Sequence, residues 1–402
     1  MDTLSLFLVP LLALVAPILA AIVGRVALVP LVVFEIVLGI VVGPSALGWV
    51  HSTDVLSFLA DIGLAMLFFV AGSEIDFAAI KGHPIRFAGL AWLIAIVVGV
   101  GLGILVAPNV DTGVVLGIAV ASTALGTILP TLRDAGELGT PFGRSITAIG
   151  AIGEFGPLLA ISLFLSGRDL GLSLVVVIIF AVVAVGAILV AARGRGFQRP
   201  QRFITATLHS SGQFAIRLIL AILAALVALS IVLGLDMLLG AFVAGVLWRI
   251  FASGATPQAR ESVETKIEAI SFGFLVPIFF ITTGVNFDLH SLIDAPRHLI
   301  YVPIFLVALL ALRGLPSLLV VPKGSSWADR RATVLFGSTS LPIIIAVTTI
   351  GVERHLIDSA FATALVTAGM LSVIIFPLLG MSQRRRQLAR EAQQELIAED
   401  DS

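Results

Sequence analysis

The chain contains no cysteine, so it can form no disulfide, no thiolate metal site and no cysteine nucleophile. Its six histidines, His51, His83, His209, His290, His298 and His355, fall at or outside the ends of apolar runs. None stands with Asp or Glu at metal-ligand spacing, and no hydrolytic or redox constellation is visible, so no enzyme and no cofactor is expected. No glycine-rich fingerprint follows a strand, which argues against a bound nucleotide. Charge is scarce: 12% of 402 residues are Asp, Glu, Lys or Arg and the formal net charge is -1, so no sustained basic face exists to hold nucleic acid. Met1 to Gly24 lacks a basic stretch and a small-residue cleavage site, and reads as a first membrane span, not a cleaved leader.

What the chain has in abundance is hydrocarbon. With 58% hydrophobic residues and a mean hydropathy of +1.12, it reads as an all-α polytopic membrane protein whose first partner is lipid. Apolar runs interrupted by Gly, Pro or charge place about 13 spans, at about 4–24, 27–45, 55–74, 86–107, 112–132, 142–166, 170–192, 213–232, 235–252, 265–284, 298–321, 331–351 and 356–380. An odd count puts the termini on opposite sides. With the N-terminus outside, the cytoplasmic loops collect Arg25, Lys81, Arg86, Arg133, Arg144, Arg193, Arg195, Arg199, Arg202, Arg217, Arg249, Arg260, Lys266, Lys323, Arg330 and Arg331. The other side keeps Arg168, Arg297 and Arg354, the segregation that the positive-inside rule expects of a multi-pass protein in a plasma (inner) membrane. Residues 381–402, opening on Arg384, Arg385 and Arg386, read as a short cytoplasmic tail: a positive anchor followed by a solvated end.

The long basic connection from Arg193 to Gln213 separates two sets of six spans around a seventh, as in an inverted repeat. In each set one span is interrupted by small polar residues. Ser122, Thr123 and Thr127 interrupt the fifth, and Ser338, Thr339 and Ser340 interrupt the twelfth, with Pro130 and Pro342 nearby. Such stretches are either tolerated Ser/Thr-rich or small-residue helix seams, or discontinuous helices meeting at a midplane site; their matched placement favours the second. The sixth span carries Glu154 near its centre, where a carboxylate needs a partner, a proton or a cation. Pro157 and the neighbouring glycines are expected to weaken that helix and free backbone carbonyls. The alternative for Glu154 is a structural carboxyl bonded between helices.

Arg313 is the basic residue placed well inside the hydrocarbon of the eleventh span; it is either a charge partner of Glu154 or an arginine snorkelling to the cytoplasmic side. A hard monovalent cation takes oxygen ligands, and Glu154 with Ser122, Thr123, Ser338, Thr339 and Ser340 supplies them. A proton competes for the same carboxylate. Glu35, Asp61, Glu74 and Asp76 read as capping or anchoring acids. The small-residue run Gly240 to Gly245 serves either dimerisation or intrachain packing.

Four stretches in this order, Glu35 to Gly39 with Gly43-Pro44-Ser45, Phe68 to Asp76, Leu239 to Gly245, and Pro277 to Phe280 followed by Gly284, resemble the monovalent cation:proton antiporters of the second cation/proton antiporter group, the sodium/proton exchangers and potassium-efflux proteins. The likeness covers nearly the whole chain. It implies a transmembrane domain over 1–380, with a core at about 84–166 and 298–380 that holds two crossed discontinuous helices. A scaffold at about 4–76 and 170–284 would make a homodimer, and movement would be elevator-like. Relatives often carry two adjacent aspartates in the sixth span; here the pair reads Gly153-Glu154, so only the second, cation-binding role carries over. Arg313 matches the family's basic residue in the eleventh span. The resulting expectation is a secondary active transporter exchanging Na+ or K+ for H+ by alternating access. The alternatives are an ion-coupled carrier of a small organic solute, or a non-transporting membrane sensor on the same fold.

Overall fold

The computed structural model describes residues 3–23, 29–76, 80–193, 213–253, 256–290 and 296–400. Arg25, Arg195, Arg199, Arg202 and His209 lie outside the described residues. In chain order the α-helices are α1 Thr3–Val23, α2 Leu31–Val42, α3 Asp54–Glu74, α4 His83–Val106, α5 Val110–Val120, α6 Leu125–Asp134, α7 Pro141–Phe164, α8 Leu170–Arg193, α9 Phe214–Val232, α10 Met237–Ala252, α11 Pro257–Ile270, α12 Val276–Val285, α13 Tyr301–Ala308, α14 Trp327–Gly337, α15 Pro342–Glu353 and α16 Ser359–Asp400. Among the described residues no strand occurs, and eleven helical stretches are long and apolar enough to cross a membrane. The shorter apolar helices α2 and α10 occupy two further expected positions.

The chain divides into two compact units. One comprises Met1–Ile22, Leu31–Asp76 and Leu158–Phe287; the other comprises Val23–Pro30, Phe77–Pro157 and Asp288–Ser402. In the first, Val9, Val42, Val50, Leu56, Ile278, Ile281 and Val285 form a common core. There α3 packs on α10. A methyl group added at Gly245 would overlap the Phe69 carbonyl oxygen, so the small-residue run of α10 makes an intrachain seam. On the same unit Arg249 lies 3.4 Å from Asp76 and 3.6 Å from Glu264, an anchoring role for Asp76 at the helix ends.

The second unit contains both interrupted spans. The fifth splits into α5 and α6 across Ala121 to Ala124, and the twelfth into α14 and α15 across Ser338 to Leu341. The second break follows directly from Pro342. Its ring drives the preceding residue out of the helical region, and Leu341 sits at φ -147, ψ -56; its fixed φ then starts α15 at the first turn. By contrast α7 runs unbroken from Pro141 to Phe164 with Pro157 inside it. The helix stays continuous there, and two of its carbonyls, Ile149 and Gly153, accept hydrogen bonds from outside it.

One expectation is corrected. Arg384, read as the first residue of a positive anchor, is buried against two carboxylates. Its Nε donates to Glu137 Oε1 at 3.0 Å and its Nη1 to Asp329 Oδ1 at 2.6 Å, while the guanidinium lies over the Phe142 ring at 5.0 Å. Asp329 is also the third residue of a capping box with Ser326 at the start of α14. A run of arginines after a span looks alike whether it faces lipid headgroups or carboxylates, and only the fold brings those two acids to this one.

Candidate cation site where two helices break

A break in a membrane-buried helix strips backbone groups of their partners, at a cost of roughly several kcal/mol each if nothing replaces them. Here the two breaks satisfy one another. Ala124 N–H donates to the Thr339 carbonyl at 2.8 Å, Thr123 Oγ1 donates to the Gly337 carbonyl at 2.7 Å, and the Ser122 and Ser340 hydroxyls share a hydrogen bond. The crossing sets the C-terminal ends of α5 and α14 beside the N-terminal starts of α6 and α15. Each C-terminal end carries about half a negative charge and each start about half a positive one, so the place suits a cation with a carboxylate.

The sixth span is tied to the same crossing. Pro157 has no N–H, so the Gly153 carbonyl four residues earlier has no helical donor; it accepts instead from Thr123 N–H at 2.9 Å. Glu154 follows immediately and is 2% exposed. Arg313 comes from the eleventh span, where a π-helical turn at Leu309–Gly314 precedes Pro316. Because Pro316 cannot extend a regular ladder, the chain widens by one residue per turn there, and such turns are common at functional sites.

Arg313 is fully buried, which excludes snorkelling. Its Nε donates to Thr123 Oγ1 and its Nη2 to the Ile149 carbonyl, both at 2.7 Å, so one guanidinium joins the first break to α7. Its Nη1 has no hydrogen-bond partner among the described residues.

The predicted oxygen ligands divide into two kinds. The Thr123 hydroxyl accepts from Arg313 and donates to Gly337, so it is a tie. Ser122, Ser338 and Thr339 direct their hydroxyl hydrogens to their own helix carbonyls, Ala119 at 2.6 Å, Val334 at 2.7 Å and Leu335 at 3.1 Å. That is the back-bonding open from the sequence, and it leaves the oxygen lone pairs as what these groups can offer a cation. All five Ser/Thr side chains are fully buried.

Two further residues belong to this frame and escaped the sequence. Ser317 Oγ donates to the Arg313 carbonyl at 2.9 Å. Ser372, on α16, bonds both the N–H and the carbonyl of Ser340. Each is one hydroxyl in an apolar run, with no local signal to separate it from a packing serine.

Comparison with known proteins agrees with this architecture. Residues 11–380 match the family profile described as sodium/hydrogen exchanger, transmembrane. The chain is 28% identical over 372 residues to a putative Na(+)/H(+) antiporter, YjbQ, of Bacillus subtilis, covering 87% of this chain and 58% of the relative. It is 26% identical over 370 residues to the Na(+)/H(+)-K(+) antiporter GerN of Bacillus cereus, covering 87% and 88%. A glutathione-regulated potassium-efflux protein, KefC, of Klebsiella pneumoniae is 28% identical over 355 residues, covering 86% and 55%. The chain thus spans little more than half the length of two of these relatives and most of the third. The solved structure of the sodium proton antiporter MjNhaP1 from Methanocaldococcus jannaschii has the same fold, with a TM-score of 0.68 at 16% identity over 95% of this chain and 96% of that one. Matched over residues 11–380, this chain belongs to the transmembrane sodium/hydrogen exchanger family.

Proposed function

We propose that this chain is a secondary active transporter that exchanges a monovalent cation, sodium or potassium, for protons by alternating access, and that Glu154 is the group for which the two compete. The observation that carries the reading is the burial of Glu154 one residue beyond the Gly153 carbonyl that bonds the crossing of the broken helices. An ionised carboxylate at that depth is costly without a counter-charge or a proton. A cation needs it ionised, with hydroxyl and carbonyl oxygens from Ser122, Ser338, Thr339 and Ser340 completing the shell; Thr123 and Arg313 hold the frame.

Glu154 must lose its proton to take the cation and lose the cation to be protonated. The empty, charged form is the expensive one to carry through hydrocarbon, so exchange outruns leak. The names of the relatives, Na(+)/H(+) and Na(+)/H(+)-K(+) antiporter, suit either cation. The reading includes a plasma (inner) membrane location with the N-terminus outside and the C-terminus cytoplasmic. It also includes a homodimer formed through residues 4–76 and 170–284, a moving core at 84–166 and 298–380, and no enzymatic activity or nucleotide.

The test is dequenching of a pH dye in proteoliposomes on adding sodium, lithium, potassium or a neutral solute in turn. Sodium or potassium should give a response, and Glu154→Gln should reduce it to background. Silence toward every cation from folded protein would remove the exchange reading, and a full response in Glu154→Gln would remove Glu154 from the site.

A further inference from the structure

Ser372 lies on α16 among apolar neighbours, outside the acid and outside both interrupted spans. Its hydroxyl is fully buried and bonds the backbone of Ser340 at both its N–H and its carbonyl. It accepts from Ser340 N–H at 3.1 Å, and it lies 2.9 Å from the Ser340 carbonyl and 2.7 Å from the Gly369 carbonyl of its own helix. A hydroxyl has one proton, so the two carbonyls compete for it. Turned toward Ser340, the proton covers that carbonyl; turned toward Gly369, it frees the carbonyl at no loss in the number of hydrogen bonds. The bond from Ser340 N–H persists in both arrangements, so the segment stays in place whichever carbonyl is served. Ser340 is also the residue whose hydroxyl meets that of Ser122 across the crossing.

Resting on the exchange reading above, we infer that Ser372 is a positioning residue of the cation site: it fixes the Ser340 peptide so that the Ser122 and Ser340 oxygens form one pair, and it can surrender the Ser340 carbonyl to the cation without releasing its N–H. Ser372 thereby sets cation affinity and the choice among ions of different radius, while the rate of the conformational cycle is left to other groups. Without the hydroxyl, both polar groups of the Ser340 peptide lose their partner in a buried place. The segment turns to satisfy them, and the oxygen pair is lost.

Exchange kinetics with sodium, lithium and potassium in proteoliposomes, for the unaltered protein, Ser372→Ala, Ser372→Thr and Glu154→Gln, test this. Ser372→Ala should raise the apparent KM for the cation by about tenfold, the equivalent of about one hydrogen bond. It should also alter the ratio of KM values among the three ions, with kcat within about twofold. Ser372→Thr, which keeps the hydroxyl, should bring KM back to within about threefold of the unaltered protein. Should Ser372→Ala fail to fold, Ser372→Cys, whose S–H donates weakly, carries the same expectation of a raised KM. An unchanged KM and ion order, or a fall in kcat alone, would overturn the inference and leave Ser372 a packing residue. If Glu154→Gln exchanges as well as the unaltered protein, the exchange reading has failed first; if it is silent while Ser372→Ala keeps its KM, only the present inference has failed.

Discussion

At Gly153 one hydrogen atom separates α7 from the side chains that hold the crossing together. A methyl group there would lie 2.6 Å from Arg313 Nη2, 2.6 Å from Thr123 Cβ and 2.7 Å from Thr123 Oγ1. Alanine normally favours a helix over glycine by about 1 kcal/mol, so in a site with space Gly153→Ala would stabilise. Here the methyl has to displace an arginine and a threonine that already hold partners, and overpacking of this kind costs about 1–3 kcal/mol. Thermal unfolding in detergent should therefore show a lower midpoint for Gly153→Ala, with cation exchange reduced as the Arg313 to Thr123 bond is strained. A raised midpoint would mean that the guanidinium has space to yield.

Within the elements, the informative contrast is between two prolines that act in opposite ways. Pro342 stands at a break and starts α15, whereas Pro157 stands inside a continuous helix and alters only the bonding of Gly153. Replacing Pro157 by alanine returns an N–H that can reach the Gly153 carbonyl, which Thr123 N–H now uses. The isolated helix gains, since an interior proline costs it about 3 kcal/mol, but the tie between the sixth span and the first break is weakened. Pro157→Ala is thus expected to unfold no lower than the unaltered protein and yet to exchange at least about tenfold more slowly, a barrier change of about 1.4 kcal/mol. Unfolding midpoints and proteoliposome fluxes measured on the same preparation check both halves; unchanged flux would show that the freed carbonyl is dispensable.

For the molecule as a whole, the charges outside the site serve to join segments that are far apart in the chain. Arg384 meets Glu137, 247 residues earlier, at 3.0 Å, and Asp329, 55 residues earlier, at 2.6 Å; Thr140 Oγ1 adds a bond to Glu137 Oε2 at 2.8 Å. The turn that leads into α7, the start of α14 and the end of the membrane part of α16 therefore share one cation. Removing it leaves two buried carboxylates facing each other, and breaking a buried pair in this way costs about 3–5 kcal/mol. Arg384→Ala should lose stability of that order in thermal unfolding, and hydrogen exchange should rise in 135–142 and 326–333. Arg384→Lys should fall between, because an ammonium keeps the charge without the fork that spans both acids. An Arg384→Ala protein as stable as the original would show that the cluster contributes no net energy.

The all-helical membrane architecture was written in composition, because about 20 consecutive apolar residues have no other stable arrangement in a bilayer, and so were the two breaks, because Ser/Thr runs and Pro342 deny the backbone its regular ladder. Glu154 and Arg313 stand out in the sequence as candidates for a related reason: an ionisable group at membrane depth is costly. What those residues bond to was not legible. Thr123, Ser338 and Thr339 look alike in sequence, yet the first is spent between Arg313 and Gly337 while the others turn their protons back into α14. Ser372 carried no signal, and Arg384 carried only that of a positive anchor at the end of a span. A hydrogen bond is decided by direction over about 3 Å, and partners 32 to 247 residues apart acquire a direction toward each other only when the helices are packed.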